Sequence, residues 1–298
     1  MMCRAPASWT LSPSAGRGYG SVRRTGGGGA RLPAWVDHRH FHELDSTQSF
    51  AELEHSAFDQ DRLTVISADL QTKGRGTKDR CWHAVPGLSV LMSFFFRFPS
   101  QCPTVFVNRN VANVTKVLSL AAVDALRWAT SGGTQQLKFG VKWPNDIVVN
   151  GMKIGGVMAR ALPSPHGRLD GVIAGIGANI NTPQEQLSQI DRPVWPATSL
   201  RALTGNVYDV PAIREHLIRS FAEELPAFFN LGFSAFRDRL NALEVLMGHP
   251  VRFRVHESDE VHGTFVGVDK AGHIVLRLLP CGQQRSYPAG EIIPLEPL

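Results

Sequence analysis

A basic stretch near the middle of the chain contains residue types that bind anions. Residues 139–160 read FGVKWPNDIVVNGMKIGGVMAR, with Lys142 and Asp146 before a tight turn and Lys153 just after it. Gly155-Gly156 follows, and paired glycines inside a strand mark a bulge or a place where another group approaches the backbone closely. A lysine beside such a gap is suited to an anionic ligand. A surface hairpin with solvated lysines would give the same pattern.

A second basic segment, residues 71–82, reads QTKGRGTKDRCW. Its glycines would let backbone N–H groups approach phosphate oxygens, and Arg75 would add bidentate charge-assisted hydrogen bonds. The segment lacks the Gly-Lys-Ser/Thr of a P-loop and the glycine spacing of a dinucleotide fingerprint. A flexible basic loop is the alternative interpretation.

Local signals predict the elements that hold the first stretch in place. Val141–Trp143 and Ile147–Val149 favour short strands, separated at Pro144, which cannot donate to a sheet ladder. Asn150-Gly151 is typical of a type I′ hairpin turn, in which both residues have φ > 0. We therefore predict a return strand over Met152–Met158.

The segment before residue 71 predicts a strand at Leu63–Ala68, preceded by a short helix. Asp45 or Ser46 is a candidate N-cap for a helix reaching about His55, with Glu52 on its exposed face. Hydroxyls at a helix start are usually caps, but they can also hydrogen-bond a polar ligand. Further upstream, alternating histidines (His38, His40 and His42) are interpreted as an edge strand, because no further metal ligands are visible nearby.

The remaining pattern predicts buried strands, long helices and a small β-rich end. In the strand Gly171–Ile180, alternate glycines leave one sheet face bare, either for a flat ligand or for close packing of a helix. Turn-separated strands after residue 247 are typical of an SH3-like barrel. The predicted elements are strand Leu88–Phe96, helices Val107–Thr130, Ala212–Phe229 and Phe233–Leu246, and strands Val251–Val255, Val261–Val268, Ile274–Leu279 and Glu291–Ile293.

The net charge of +5 comes from the first part of the chain. Residues 1–36 contain five arginines and no acidic residue, which leaves 26 basic and 26 acidic residues in the rest. A duplex-binding domain normally carries a basic excess, so a nucleic-acid partner is not expected. The first segment is predicted to be a disordered leader, and its composition also fits an organellar transit peptide. Scattered cysteines favour a reducing compartment, and no uninterrupted apolar stretch suggests a membrane span.

Five sequence blocks occur in the order and approximate spacing found in biotin protein ligases, and the chain resembles that family over about residues 40–298. The blocks are Asp45-Ser46-Thr47, residues 71–82, Lys142-Trp143-Pro144-Asn145-Asp146, Lys153-Ile154-Gly155-Gly156 and Gly175–Asn179. The resemblance implies an α+β fold. A class II synthetase-like domain with a mixed β-sheet flanked by helices (37–246) would precede an SH3-like barrel (247–298). No helix-turn-helix segment precedes the first block, so we expect the monofunctional form.

The resemblance also implies a two-step reaction. The carboxylate of biotin attacks the α-phosphate of ATP to give biotinyl-AMP and pyrophosphate, and a lysine of a carboxylase carrier domain then attacks the mixed anhydride. The first step brings two anions together, so cationic groups and backbone donors must dominate. Magnesium is expected on the phosphates, without an assigned protein ligand.

By the same resemblance, Arg75 and Lys153 hold the biotin carboxylate and the adenylate phosphate, while Asp146 positions the acceptor lysine or takes its proton. Capping of the turn after Pro144 is the alternative role for Asp146. The implied biotin contacts are Ser46, Thr47, Gln48, Gln71, Gly74, Arg75, Gly76, Thr77, Lys153 and Gly156. The implied ATP contacts are Arg75, Arg80, Trp82, Lys142, Asn145, Lys153 and Asn179, the last of these near adenine or ribose.

One departure from the family pattern bears on the intermediate. Thr77 stands where the family usually has a further arginine, which predicts weaker retention of the adenylate. Two other functions stay open: a lipoate or octanoate ligase on the same fold, and an inactive biotin-binding or partner-docking module. We expect a monomer or homodimer in the cytoplasm, or in the mitochondrial matrix if the leader is a transit peptide.

Overall fold

The computed structural model describes residues 32–77, 80–164, 169–188, 195–255 and 259–295. Most of the predicted leader, residues 1–31, lies outside these ranges, as do parts of the predicted loops at 163–167 and 183–196. The strands are β1 Val36–Leu44, β2 Leu63–Gln71, β3 Ser89–Phe96, β4 Phe139–Lys142, β5 Asp146–Val149, β6 Met152–Pro163, β7 Leu169–Asn179, β8 Pro250–Arg254, β9 Glu260–Val268, β10 Ile274–Leu278, β11 Gln284–Tyr287 and β12 Glu291–Pro294. The α-helices are α1 Thr47–Glu54, α2 Thr104–Asn110, α3 Val114–Thr130, α4 Gln184–Leu187, α5 Leu200–Thr204, α6 Val210–Leu231 and α7 Arg237–Leu243.

A seven-stranded sheet with the order β1-β2-β3-β7-β6-β5-β4 forms the larger part of the molecule. β1 runs parallel to β2, and the other neighbours pair antiparallel, so the sheet is mixed as expected. β1 is an edge strand, which confirms the interpretation of its alternating histidines. The second sheet has five antiparallel strands in the order β11-β10-β9-β8-β12 and forms the predicted small C-terminal β-domain.

The two faces of the large sheet are covered differently. Helices α3 and α6 pack on one face and, with residues such as Phe94 and Phe96, form the main apolar core. The short helix α1 packs on the opposite face, where Phe95 and Ile173 belong to a smaller apolar cluster. Much of that second face is therefore left for a ligand cavity.

The hairpin predicted from Asn150-Gly151 is present. Asn150 has φ 49° and Gly151 has φ 75°, as a type I′ turn requires. The pairing register between β5 and β6 shifts so that Ile147 faces Gly155 and Val148 faces Lys153. The predicted bulge thus lies at Ile154, and it changes the direction of the chain directly beside Lys153.

Two helix predictions were wrong in detail. The stretch predicted as one helix over Val107–Thr130 begins at Thr104 and is interrupted by a 3₁₀ turn at Val111–Asn113. The stretch Phe233–Leu246 contains only a 3₁₀ turn and the short helix α7, because the chain after Leu243 becomes extended. There Val245 donates a backbone hydrogen bond to the carbonyl of Val141 at 3.0 Å. No helix in the described part of the chain is long and apolar enough to cross a membrane.

Candidate active site

Most of the predicted site residues meet in one cavity on the sheet face that carries α1. The cavity has a volume of about 60 Å³, smaller than the roughly 300 Å³ or more of typical ligand pockets. The segment after β2, the start of α1, the β5–β6 hairpin and the centres of β3 and β7 form its walls. The lining residues are Ser46, Thr47, Gln48, Gln71, Arg75, Gly76, Thr77, Trp82, Met92, Ser93, Asn145, Asp146, Lys153, Gly156, Val157, Met158, Gly175, Ile176 and Gly177.

One part of the cavity is neutral and polar. Gln71 Oε1 accepts hydrogen bonds from the backbone N–H of Thr47 at 2.7 Å and from its hydroxyl at 3.0 Å. The Thr47 hydroxyl also lies 2.9 Å from that of Ser93, which donates to Gln48 Oε1 at 3.2 Å. Thr47, Gln48 and Ser93 are buried. This network offers donors and acceptors without charge, which suits a neutral polar head group.

The cap predicted at the start of α1 is present. Ser46 is the N-cap, and its side chain accepts the backbone N–H of Ser49 at 3.4 Å. The same residue lines the cavity, so its hydroxyl caps the N-terminus of α1 at the wall of the site. The capping role and a ligand-binding role are thus compatible in this position.

The other part of the cavity is charged. Lys153 Nζ donates to Asp146 Oδ1 at 2.6 Å, and Lys142 Nζ lies 3.9 Å from Asp146 Oδ2. Gly156 lies directly beside this pair, since a Cβ there would be in ordinary contact with Lys153 Nζ at 3.5 Å and with Asp146 Oδ1 at 3.7 Å. Lys142 is almost fully buried, lies 5.6 Å from the centre of the Trp195 ring, and has its pKa lowered by that burial.

The glycine-rich segment folds into a small hairpin of its own. Trp82 donates its backbone N–H to Gly74 at 2.9 Å, and Gly76 donates to the carbonyl of Arg80 at 2.6 Å. The sequence suggested that the N–H of Gly76 could bind a phosphate, but this N–H is already used within the hairpin. A Cβ on Gly74 would overlap the carbonyl of Trp82, so this glycine permits the close approach of the two hairpin strands. Arg75 extends from the hairpin and lines the cavity.

Side chains of the protein already cover the alternate glycines of β7. The indole of Trp82 lies over Gly177, and Gln48 of α1 packs against Gly175. Of the two alternatives left open by the sequence, packing of a helix is present at Gly175, while a flat ligand on this face stays a prediction. Trp82 Nε1 is buried and has no hydrogen-bond partner among the described residues.

Four predicted residues do not line the cavity. Gly74 is part of the hairpin backbone, and Arg80 turns back to contact the carbonyl of Thr77 at 3.2 Å. Lys142 Nζ lies 3.9 Å from Oδ2 of Asp146, which does line the cavity. Asn179 is buried and donates to the carbonyl of Thr198 at 3.2 Å.

The sequence interpretation missed several lining residues. Ser93 had a usable signal, since it is a serine inside an otherwise apolar strand. Met92, Val157, Met158 and Ile176 had none, because apolar residues in strands are usually core residues.

Glu52 was also placed wrongly by the sequence, which predicted it on the exposed face of α1. Its side chain is 18% exposed and lies between two arginines. Arg75 Nη1 is 3.3 Å from Glu52 Oε2, and Arg160 Nη1 is 2.7 Å from the same oxygen. A carboxylate therefore lies beside the arginine that was expected to bind the ligand.

A larger cavity of about 550 Å³ lies near the first residues of β2, at the far end of that strand from Gln71. It contains none of the predicted site residues, and aromatic side chains such as Trp35, Phe98 and Phe229 contribute much of its wall. No group of three or more His, Cys, Asp or Glu side chains placed for a metal ion occurs in the described ranges. The convergence of charged and neutral polar groups therefore identifies the smaller cavity as the candidate site.

Comparison with known proteins shows the family of the chain. Residues 41–179 match the Biotin/lipoate A/B protein ligase family, and residues 246–293 match the Biotin protein ligase C terminal domain. The chain is 30% identical over 181 residues to the biotin--[acetyl-CoA-carboxylase] ligase of Paracoccus denitrificans, covering 61% of this chain and 72% of that protein. The chain belongs to the biotin protein ligase family.

Two further relatives support the family and the fold. The bifunctional ligase/repressor BirA of Bacillus spizizenii is 27% identical over 217 residues, and the match covers 72% of this chain but only 61% of that protein's length. The biotin protein ligase of Aquifex aeolicus, solved in complex with biotin and ATP, superimposes with a TM-score of 0.66 at 24% identity. That match covers 86% of this chain and 97% of the solved one and shows a common fold.

Proposed function

We propose that the protein activates biotin with ATP to biotinyl-AMP and transfers the biotinyl group to a lysine of a carboxylase carrier domain. The observation that carries this proposal is the convergence of Arg75 and Lys153, from segments far apart in the sequence, on one cavity. The neutral network at the same cavity would take the ureido group of biotin. The two cations would then lie near its carboxylate.

The first step needs compensation of charge. Arg75 and Lys153 would lower the repulsion between the biotin carboxylate and the α-phosphate of ATP, and would stabilise the charge that develops on the phosphate in the transition state. Since the chain offers no metal-ligand cluster within the described ranges, we infer that magnesium enters with the triphosphate as part of the substrate. Trp82 offers an aromatic ring on the same wall and an N–H donor that no described residue accepts.

The second step needs a neutral amine, although a free lysine has a pKa of about 10.4. Asp146 is the only carboxylate among the described lining residues, so it is the candidate for positioning the acceptor lysine and receiving its proton. Its Oδ1 accepts a hydrogen bond from Lys153 Nζ at 2.6 Å. Its Oδ2, with Lys142 Nζ at 3.9 Å, would be the oxygen that contacts the acceptor amine.

Pyrophosphate release tests the first step and separates the two ligase functions. The protein is incubated with ATP and either biotin, lipoate or octanoate, and we expect release with biotin only. Transfer of labelled biotin to a carrier domain then tests the second step, with a carrier whose acceptor lysine is replaced by arginine as the control. Tight biotin binding without release or transfer would indicate an inactive binding module, and release with lipoate or octanoate but not biotin would contradict the proposal.

A further inference from the structure

The contact between Glu52 and Arg75 has a consequence for ligand binding. Glu52 lies on α1 and Arg75 on the glycine-rich hairpin, and the closest contacts are 3.3 and 3.4 Å from Arg75 Nη1 to the two carboxylate oxygens. Arg75 also lines the cavity, and its side chain is 44% exposed. The guanidinium is therefore held by an internal carboxylate at the place where an external carboxylate or phosphate would bind.

Arg160 shares the same carboxylate. Gly156, Met158 and Arg160 alternate along β6 and so point to the same side of the sheet, and the first two line the cavity. Arg160 Nη1 lies 2.7 Å from Glu52 Oε2, clearly closer than Arg75. Glu52 keeps a cationic partner when Arg75 moves away, so the loss of the Arg75 contact does not leave the carboxylate unpaired.

We propose that Glu52 is a positioning residue that competes with the ligand's anion for Arg75, and that Arg160 sets how strongly Glu52 holds it. This inference rests on the proposed function, since the competing anion is the biotin carboxylate or the adenylate phosphate. Binding of the anion exchanges one partner of Arg75 for another. Affinity and retention of the intermediate therefore depend on the difference between the two contacts.

The proposal predicts opposite effects on biotin binding for two variants that both break the Glu52–Arg160 ion pair. Glu52→Gln removes the competitor, so biotin should bind about two- to fivefold more tightly and biotinyl-AMP should be released more slowly, the range expected for a partly exposed pair. Arg160→Gln leaves Arg75 as the nearest cation to Glu52, so biotin should bind more weakly. A purely structural ion pair would make both variants bind more weakly.

Equilibrium dialysis with labelled biotin and with biotinamide, which lacks the carboxylate, measures these effects. Glu54→Gln on the same helix is the matched control and should bind both ligands like the wild type. We expect the Glu52→Gln effect to vanish with biotinamide and in an Arg75→Ala background. An equal gain with biotinamide, or a gain that persists without Arg75, would overturn the proposal.

A second measurement is independent of biotin. Phenylglyoxal modifies free guanidinium groups, and mass mapping reports the rate at Arg75 itself. Glu52→Gln should speed the modification of Arg75 and Arg160→Gln should slow it, while unchanged rates in both variants would contradict the hold by Glu52. If the wild-type protein binds no biotin, the proposed function fails, and the modification rates still decide whether Glu52 holds Arg75.

Discussion

The Lys142–Asp146 motif borders two regions of the molecule that differ in their environment. At the cavity end, Lys153 is 29% exposed and Asp146 is 19% exposed, and each is the other's closest charged partner. At the other end, Trp143 is buried where the large sheet meets the C-terminal domain. Its backbone N–H donates to Glu244 Oε2 at 2.9 Å, and its Nε1 donates to the carbonyl of Gly272 at 3.2 Å.

This second region, the junction, contains ionisable groups that are buried. Glu244 accepts a further backbone hydrogen bond from Leu246 at 3.2 Å, and burial raises its pKa to about 8. Lys116 donates to Asn113 Oδ1 at 2.9 Å, and burial lowers its pKa to about 8. Charged side chains at the cavity thus stay partly accessible and form ion pairs with one another. The ionisable side chains at the junction instead form hydrogen bonds with backbone and amide groups. Substitutions in the cavity should change activity, and substitutions in the junction should change stability.

The largest expected effect is on the activity side. Lys153→Ala removes a cation from the site of the reacting phosphate, so pyrophosphate release with biotin and ATP should fall by about 10²–10³-fold. The unfolding temperature should change little, because a partly exposed ion pair contributes little to stability. Lys138→Ala is the control, since Lys138 is exposed just before β4 and does not line the cavity. Activity of the Lys153 variant close to that of the wild type would remove this residue from the site.

The converse substitution is at the junction. Glu244→Gln replaces one of two oxygens that accept backbone N–H groups with an amide that cannot accept, and should cost about 1–3 kcal/mol of unfolding free energy. Urea denaturation measures the loss. Glu260→Gln, a change to a partly exposed ion pair in the C-terminal sheet, should cost less than about 1 kcal/mol. If Glu244→Gln and Glu260→Gln unfold at the same urea concentration, the burial of Glu244 does not make it more important for stability.

The buried charges also predict how stability depends on pH. Glu244 binds its proton more tightly in the folded protein, so its contribution to stability is complete below about pH 4.5 and is lost as the pH rises to about 8. Lys116 releases its proton more easily when folded, so stability rises from about pH 8 to about 10.5. Together the two groups predict a minimum of their contribution near pH 8.

Thermal unfolding at a series of pH values can assign each slope to its group. Glu244→Gln should flatten the fall below pH 8, and Lys116→Met should flatten the rise above it. Lys153→Ala should leave both slopes unchanged. The same profile in the wild type and in both junction variants would show that other groups determine it.

The smallest expected effect returns to the cavity. Thr77 is exposed, lines the site and occupies the position where an arginine is usual in the family. Thr77→Arg should slow the release of biotinyl-AMP by about two- to fivefold, as expected for one partly solvated charge. Gel filtration of the protein with labelled intermediate measures the rate. Thr77→Lys tests whether charge alone is enough, and faster release from the arginine variant would contradict the expectation.

The sequence predicted local features well. The turn at Asn150-Gly151, the cap at Ser46 and the bulge beside Lys153 each depend on a few neighbouring residues, and all are present. The C-terminal β-domain followed from its short strands and turns, and the mixed sheet followed from the family resemblance. Arg75 and Lys153 were placed together for the same reason.

Contacts between distant segments could not be predicted. Glu52 lies 108 positions from Arg160, so no local pattern shows that it is ion-paired rather than exposed. Asn179 forms its hydrogen bond with Thr198, which lies on another segment. The end of α7 at Leu243 likewise depends on a bridge from Glu244 to Val141 of β4, which overrides the helical pattern. In each case tertiary contacts decide, and a single sequence does not contain them.

The hydrogen bond from the Trp143 indole to Gly272 limits how far the protein can be shortened. No described residue of the C-terminal sheet lines the cavity, so a fragment ending near residue 247 would keep all the lining residues. Such a truncation would remove Phe253, whose ring centroid lies 6.0 Å from that of Trp143, and the carbonyl that accepts the indole N–H. The damage would begin one residue from Lys142 and three from Asp146, so we expect the fragment to lose the geometry of its active site before it loses its sheet.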